Sequence, residues 1–177
     1  MEFSYEIKIP KERVAVLLGV KGKTKKNIEK ALVIKINVDS EEGIVTFSGD
    51  DSLKLIIGQD IIKAIGRGFN PDIAIELLNE NLQLEIIYIT EYTGSSKKKF
   101  LRIKARAIGE GGKARKYIEK LTETKIVIYG KTIGIIGEYE NINFARRAFE
   151  GLLSGQRHST VYSWLEKNIK SRKHLLY

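Results

Sequence analysis

Aligned on Gly22 and Gly112, the chain repeats itself at an offset of ninety positions. Gly19-Val20-Lys21-Gly22-Lys23 leads into Ile28-Glu29-Lys30, and Gly109-Glu110-Gly111-Gly112-Lys113 leads into Ile118-Glu119-Lys120. The match continues through Ile36 with Ile126 and Val38 with Ile128, and Gly49-Asp50 meets Gly137-Glu138 if the second hairpin is two residues shorter. Agreement across loop, helix and strands makes duplication the economical explanation. It constrains the 177 residues to two similar units within the ordinary size of a small domain.

Hydrophobic periodicity gives each unit the same order. Phe3, Tyr5, Ile7 and Ile9 alternate with polar residues as in a half-buried strand that Pro10 closes. Val14, Leu17 and Leu18 mark a short helix ending at Gly19, and a second helix begins after Gly22 with Ile28, Ala31 and Leu32 on one face. Ile34, Ile36, Val38 and Ile44, Val45, Phe47 form two strands joined by Asp39-Ser40-Glu41-Glu42-Gly43. Asp50-Asp51 caps a third helix whose apolar face is read as Leu53, Ile57, Ile61, Ala64 and Ile65. After Gly66-Arg67-Gly68-Phe69-Asn70-Pro71, a short extra helix runs over 72–78.

The second half repeats the pattern. Leu82, Leu84, Ile86 and Tyr88 mark a strand, and a basic helix runs from about Lys98 to Ala107. The second loop and a helix over 113–121 follow, then strands around Ile126, Ile128 and Ile133, Ile135 flanking Gly130-Lys131. The last core helix, 138–153, buries Ile142, Ala145, Phe149 and Leu152. The expected class is α+β, βααββα twice, with units 1–80 and 81–177. Each has a three-stranded antiparallel sheet with helices on one face, and a further helix closes the second.

Charge separates the units. Residues 1–80 hold 12 Lys/Arg against 13 Asp/Glu, and residues 81–177 hold 19 against 9, so they carry −1 and +10 of a net +9. A half so basic suits contact with a polyanion. Without cysteine, disulfides and thiolate metal sites are excluded, and two histidines, His158 and His174, are too few for a zinc cluster. No metal or cofactor is expected. No cationic leader and no uncharged run of about 20 apolar residues is present, so the expectation is a soluble, cytoplasmic chain that does not engage a membrane.

A Gly-x-x-Gly loop opening a basic helix is suited to a sugar-phosphate backbone. Glycine lets the strand approach closely, and the helix offers unpaired N–H groups and a positive dipole end. The candidate RNA-binding residues of the first unit are Gly19, Val20, Lys21, Gly22, Lys23, Lys25 and Lys26. Those of the second are Arg102, Lys104, Arg106, Gly109, Glu110, Gly111, Gly112, Lys113, Arg115 and Lys116. Glu110 places a carboxylate where a phosphate should pass, and the surrounding cations compensate. The pattern resembles the type I K-homology (KH) domain, in which this loop clamps about four nucleotides of single-stranded RNA.

Longer stretches resemble one family in particular. Ala64-Ile65-Gly66-Arg67-Gly68-Phe69, Arg115-Lys116-Tyr117-Ile118-Glu119 with Thr122, Tyr129-Gly130-Lys131-Thr132-Ile133-Gly134-Ile135-Ile136-Gly137 and the closing segment from Leu152 through Gln156-Arg157-His158-Ser159 to Glu166 are similar to the archaeal and eukaryotic two-KH ribosome-assembly factors of the partner-of-Nob group, related to the KRR type. That resemblance implies a non-catalytic factor binding near the 3′ end of small-subunit (16S) rRNA. It also implies work beside a separate Nob-family nuclease and association with the alpha subunit of translation initiation factor two. His158 reads chiefly as a residue holding the closing turn, with RNA contact the alternative, and Tyr162, Trp164 and Leu165 as docking residues of the last helix. The rival functions are a protein-binding KH pair, a general RNA-binding protein, and an enzyme; no Walker loop, HExxH or nucleophile elbow supports the last.

Overall fold

Strand–helix–loop–helix–strand–strand–helix is the element order on both sides of a division at Glu80/Asn81 in the computed structural model, which describes residues 1–176. The first unit comprises β1 (Phe3–Lys8), α1 (Lys11–Leu18), α2 (Lys23–Leu32), β2 (Lys35–Asp39), β3 (Ile44–Gly49) and α3 (Ser52–Gly66). A single turn α4 (Pro71–Ala74) and a 3-10 turn at Ile75–Leu78 take the place of the expected continuous short helix. The sheet order is β1-β3-β2, all antiparallel. Register aligns Tyr5, Phe47 and Ile36 in one row and Ile7, Val45 and Val38 in the next; Phe47, Ile36 and Val45 are buried, whereas Tyr5, stacked on Phe47, stays partly exposed on the edge strand.

The core face of α3 differs from the periodic reading. Leu53 is 70% exposed, and the buried stripe is Leu55, Gly58, Ile61, Ile62, Ala64 and Ile65. Asp51 alone of the acidic pair caps the helix, accepting the Leu53 and Lys54 N–H groups at 2.9 and 3.4 Å. The helix is turned so that Gly58 meets the end of α2 and the residues that follow it: a Cβ there would lie 3.0 Å from Ile34 Cδ1 and 3.3 Å from Leu32 Cδ1. A hydrophobicity count scores glycine as neutral, so periodicity alone places the stripe one step to the side.

The second unit comprises β4 (Leu82–Tyr88), a single turn α5 (Thr90–Thr93), α6 (Lys97–Ile108), α7 (Lys113–Thr122), β5 (Lys125–Tyr129), β6 (Thr132–Glu138), α8 (Tyr139–Leu153) and α9 (His158–Leu175). Its sheet, β4-β6-β5, is again antiparallel. In β4 the alternation points the unexpected way. Glu85 and Ile87 pair with Ile135 and Ile133, which belong to the helix-side core, and Glu85 reaches Arg146 on α8 at 3.0 Å. Leu82, Leu84, Ile86 and Tyr88 therefore occupy the sheet face away from the helices. Ile142, Ala145, Phe149 and Leu152 of α8 are all in the core.

The duplication extends to the backbone. Val33 and Glu123, ninety positions apart, both cap their helices in the left-handed region at φ +56° and +54° although neither is glycine. Each frees the following residue to bond back: Ile34 N–H to the Glu29 carbonyl at 3.1 Å, and Thr124 N–H to the Glu119 carbonyl at 3.2 Å.

Candidate nucleic-acid interface

Both Gly-x-x-Gly segments are single 3-10 turns with nearly identical dihedrals. Gly19 and Gly109 have φ/ψ of 72°/178° and 76°/166°; Gly22 and Gly112 have 72°/15° and 77°/14°. The first glycine of each pair is required twice over. Its conformation is essentially reserved to glycine, and a Cβ would fall 2.3 Å from Thr24 Oγ1 in one loop and 2.6 Å from the Ala114 nitrogen in the other. The third position is left-handed too, as Lys21 (φ 52°) in the first loop and as Gly111 (φ 60°) in the second, so Gly111 relaxes a strain that Lys21 bears. Neither α2 nor α7 has a side-chain cap among the described residues. Both helix starts therefore face outward beside exposed Lys23 and Lys26, or Lys113 and Lys116.

The expected cations divide into two groups. Lys113 and Lys116 stand at the start of α7, with Lys116 Nζ 3.5 Å from the Gly111 carbonyl. Arg102 and Arg106, one turn apart on α6, border a groove beside the loop. Lys104 lies on another face of α6, over the Phe100 ring, and donates to the Gly130 carbonyl at 2.7 Å, so it braces the β5–β6 hairpin instead of joining the loop.

Arg115, expected beside phosphates, is engaged by the fold. Its Nη1 donates to Glu119 Oε2 at 3.1 Å and to the Ile126 carbonyl at 3.2 Å, while Glu119 accepts the Ile126 N–H at 2.7 Å. The first unit builds the same clasp: Glu29 accepts the Ile36 N–H at 2.8 Å, with Lys25 Nζ 3.7 Å away. The repeated glutamate thus joins each second helix to the strand after it. Leaving such a backbone donor unsatisfied costs about 1–3 kcal/mol. Ile118 and Ile126 are core residues.

Helix α9 docks beside this site. Val161 and Leu165 are buried, Trp164 meets Phe144 at 6.3 Å and lies under Arg147 at 5.3 Å, and Tyr162 packs on Tyr117 at 4.4 Å. Tyr117 hydrogen-bonds Glu166. Burial, then the Glu166 carboxylate, pushes the Tyr117 phenol up to about 12. His158 Nε2 lies 2.9 Å from the Arg106 carbonyl, and Arg106 donates to the Gln156 carbonyl, so the turn that leads into α9 is fastened to α6. The groove of about 550 Å³ between α6, the second loop and α9 includes His158 and Tyr162 in its wall. Sequence reasoning gives these two mainly docking roles; their adjacency to the loop arises from a tertiary contact that spacing does not encode.

Residues 83–170 match the eukaryotic-type KH domain (KH-domain type I), in the form of the second such domain of PNO1. A KH domain-containing protein of Methanocaldococcus jannaschii is 46% identical over 165 residues, covering 91% of this chain and 72% of that relative. The chain belongs to the PNO1-type KH-domain family. Within that family, the pre-rRNA-processing protein PNO1 of Phaeosphaeria nodorum is 33% identical over 130 residues, 73% of this chain and 50% of that relative. The chain spans about half the length of the eukaryotic PNO1 proteins it matches. Among solved structures, the complex of a/eIF2alpha, aDim2p and rRNA from Pyrococcus horikoshii contains a chain similar at TM-score 0.89 and 41% identity, with 96% of each chain covered. The PNO1-type match falls on the unit that carries the α6–α9 groove and the more basic half of the chain.

Proposed function

We propose that the chain is an RNA-binding ribosome-assembly factor built from two type I KH modules, acting on single-stranded rRNA near the 3′ end of the small-subunit precursor. The observation that carries this reading is the pair of Gly-x-x-Gly loops with nearly identical dihedrals, each opening an uncapped helix flanked by exposed lysines. Such a loop grips about four backbone nucleotides in KH domains. Relatives named for pre-rRNA processing and the rRNA named in the Pyrococcus horikoshii complex support rRNA as the ligand. The a/eIF2alpha of that complex supports the alpha subunit of initiation factor two as a protein partner.

In this reading the chain acts in the cytoplasm and cuts nothing itself; a separate nuclease of the Nob family matures the end that it holds. Among the described residues no three His, Asp or Glu side chains converge on a possible metal position. The test is crosslinking in cells followed by RNA sequencing. Reads concentrated at the small-subunit rRNA 3′ end are expected, and reads scattered over mRNA would overturn the ribosomal assignment. Reproducible metal-dependent RNA cleavage by the purified protein would overturn the non-catalytic role.

A further inference from the structure

The groove between α6 and α9 has no counterpart written into the first unit. Alignment of the repeats sets Arg102 against Glu12 and Arg106 against Val16, and α3 is followed by the single turn α4 where the second unit carries the 18-residue α9. Duplication alone therefore did not supply this feature. The second unit alone carries both the cations at these positions of α6 and the helix that walls the groove.

Its chemistry is mixed in a particular way. The floor is made of small residues, Ala105, Gly109 and Ala114, and one wall is aromatic, with His158 and Tyr162 in edge contact at 6.0 Å. Most of the charge lies on the rim: Arg102 and Lys113 are exposed, and Glu110 stands at the loop. Arg106, in the wall, spends one donor on the Gln156 carbonyl and keeps a buried Nε with no acceptor. A phosphate seated inside would meet the Glu110 carboxylate. A flat, largely apolar ring with polar edges fits better, since it can lie against the aromatic wall and offer acceptors to Arg106 and donors to Glu110. The volume, about 550 Å³, lies within the usual range for small-molecule and cofactor sites.

We infer that this groove is a nucleobase pocket: it takes one base of the same RNA strand, beyond the nucleotides clamped by the Gly-x-x-Gly loop, with the flanking phosphates at Arg102 and Lys113. This rests on the RNA-binding reading above and extends its footprint to the other side of the loop. It gives α9 a second role besides packing, and it turns the acidic loop residue from an obstacle into a base contact.

The test uses the full chain and two random-sequence single-stranded RNAs, one of four nucleotides and one of ten, each also made with 4-thiouridine. Ala105→Trp fills the groove from an exposed position on α6 while leaving the loop, α7 and the α9 contacts in place. Stacking of one base contributes about 1–3 kcal/mol, so affinity for the ten-mer should fall by roughly tenfold or more and that for the four-mer should stay within about twofold. Ultraviolet crosslinking of the ten-mer should label the peptide containing His158 and Tyr162 in the parent chain and not in the variant. Equal affinities of parent and Ala105→Trp for the ten-mer, or crosslinks confined to the loop peptide, would overturn the pocket while leaving RNA binding intact. If the parent chain bound neither RNA, the RNA reading itself would fall, and the pocket with it.

Discussion

At the scale of single residues, the two glycines of each loop do different work, and substitution should separate them. Gly109 combines a backbone region closed to side chains with a steric block: a Cβ would lie 2.8 Å from Ala114 Cβ and 2.6 Å from its nitrogen. Gly112 has only a left-handed φ of 77°, with the nearest neighbour the flexible end of Lys116 at 3.6 Å. Strained positions of the first kind cost about 1–3 kcal/mol, and the left-handed region about 1–2 kcal/mol. Gly109→Ala should therefore lower the urea midpoint more than Gly112→Ala, because it must also displace the start of α7. Equal midpoints would mean that the loop yields without moving the helix. Glu110 and Gly111 sit between them without the steric block: Gly111 keeps only a left-handed φ of 60°, a Cβ there meets nothing within 4 Å, and the equivalent Lys21 bears a side chain at φ 52°.

At the scale of elements, the union of α7 with α9 depends on the protonation of Tyr117. Burial first, and then the hydrogen bond and charge of Glu166, raise its phenol to about 12, against about 10 in an unfolded chain. The folded state thus holds the proton more tightly. The stabilisation is complete below pH 10 and is lost as pH rises from there towards 12. Tyr162, raised by burial, and Tyr92, raised by burial and then by Glu150 and Glu91, act in the same direction, so the informative quantity is a difference. The denaturant midpoint of the parent chain should drop more steeply between pH 10 and 12 than that of Tyr117→Phe, and parallel curves would sink the assignment. The element order, both loops and the packing of α8 were legible in the sequence because each depends on local period or on glycine spacing. Three features were not. The rotation of α3 is set by helix contact at Gly58, and the inversion of β4 by pairing of Glu85 with Ile135. The use of Arg115 and Lys104 in bracing depends on where Ile126 and Gly130 arrive. All three are decided by partners distant in sequence, which a charge count or a periodicity cannot register.

At the scale of the whole molecule, two loops of one geometry are embedded in units of unequal charge, −1 against +10. Local geometry would make the units equal binders, and the summed field would make the second dominant, since a basic surface raises the local concentration of a polyanion before any contact forms. The loops themselves argue the other way, because Glu110 opposes phosphate where Val20 does not. The exposed lysines outside the glutamate clasps let these effects be compared: Lys23 and Lys26 occupy the same helical positions as Lys113 and Lys116, whereas Lys25 and Arg115 serve the clasps and would confound stability with binding. Charge reversal of Lys113 and Lys116 together should weaken binding of a ten-nucleotide RNA more than reversal of Lys23 and Lys26. It should also flatten the dependence of log affinity on log salt by about 0.7 for each phosphate that is no longer neutralised. Titrations at three salt concentrations, alongside melting curves to confirm folding, decide the matter. A larger loss of affinity from reversing Lys23 and Lys26 would place the principal grip in the nearly neutral unit and leave the +10 surface to steer the encounter.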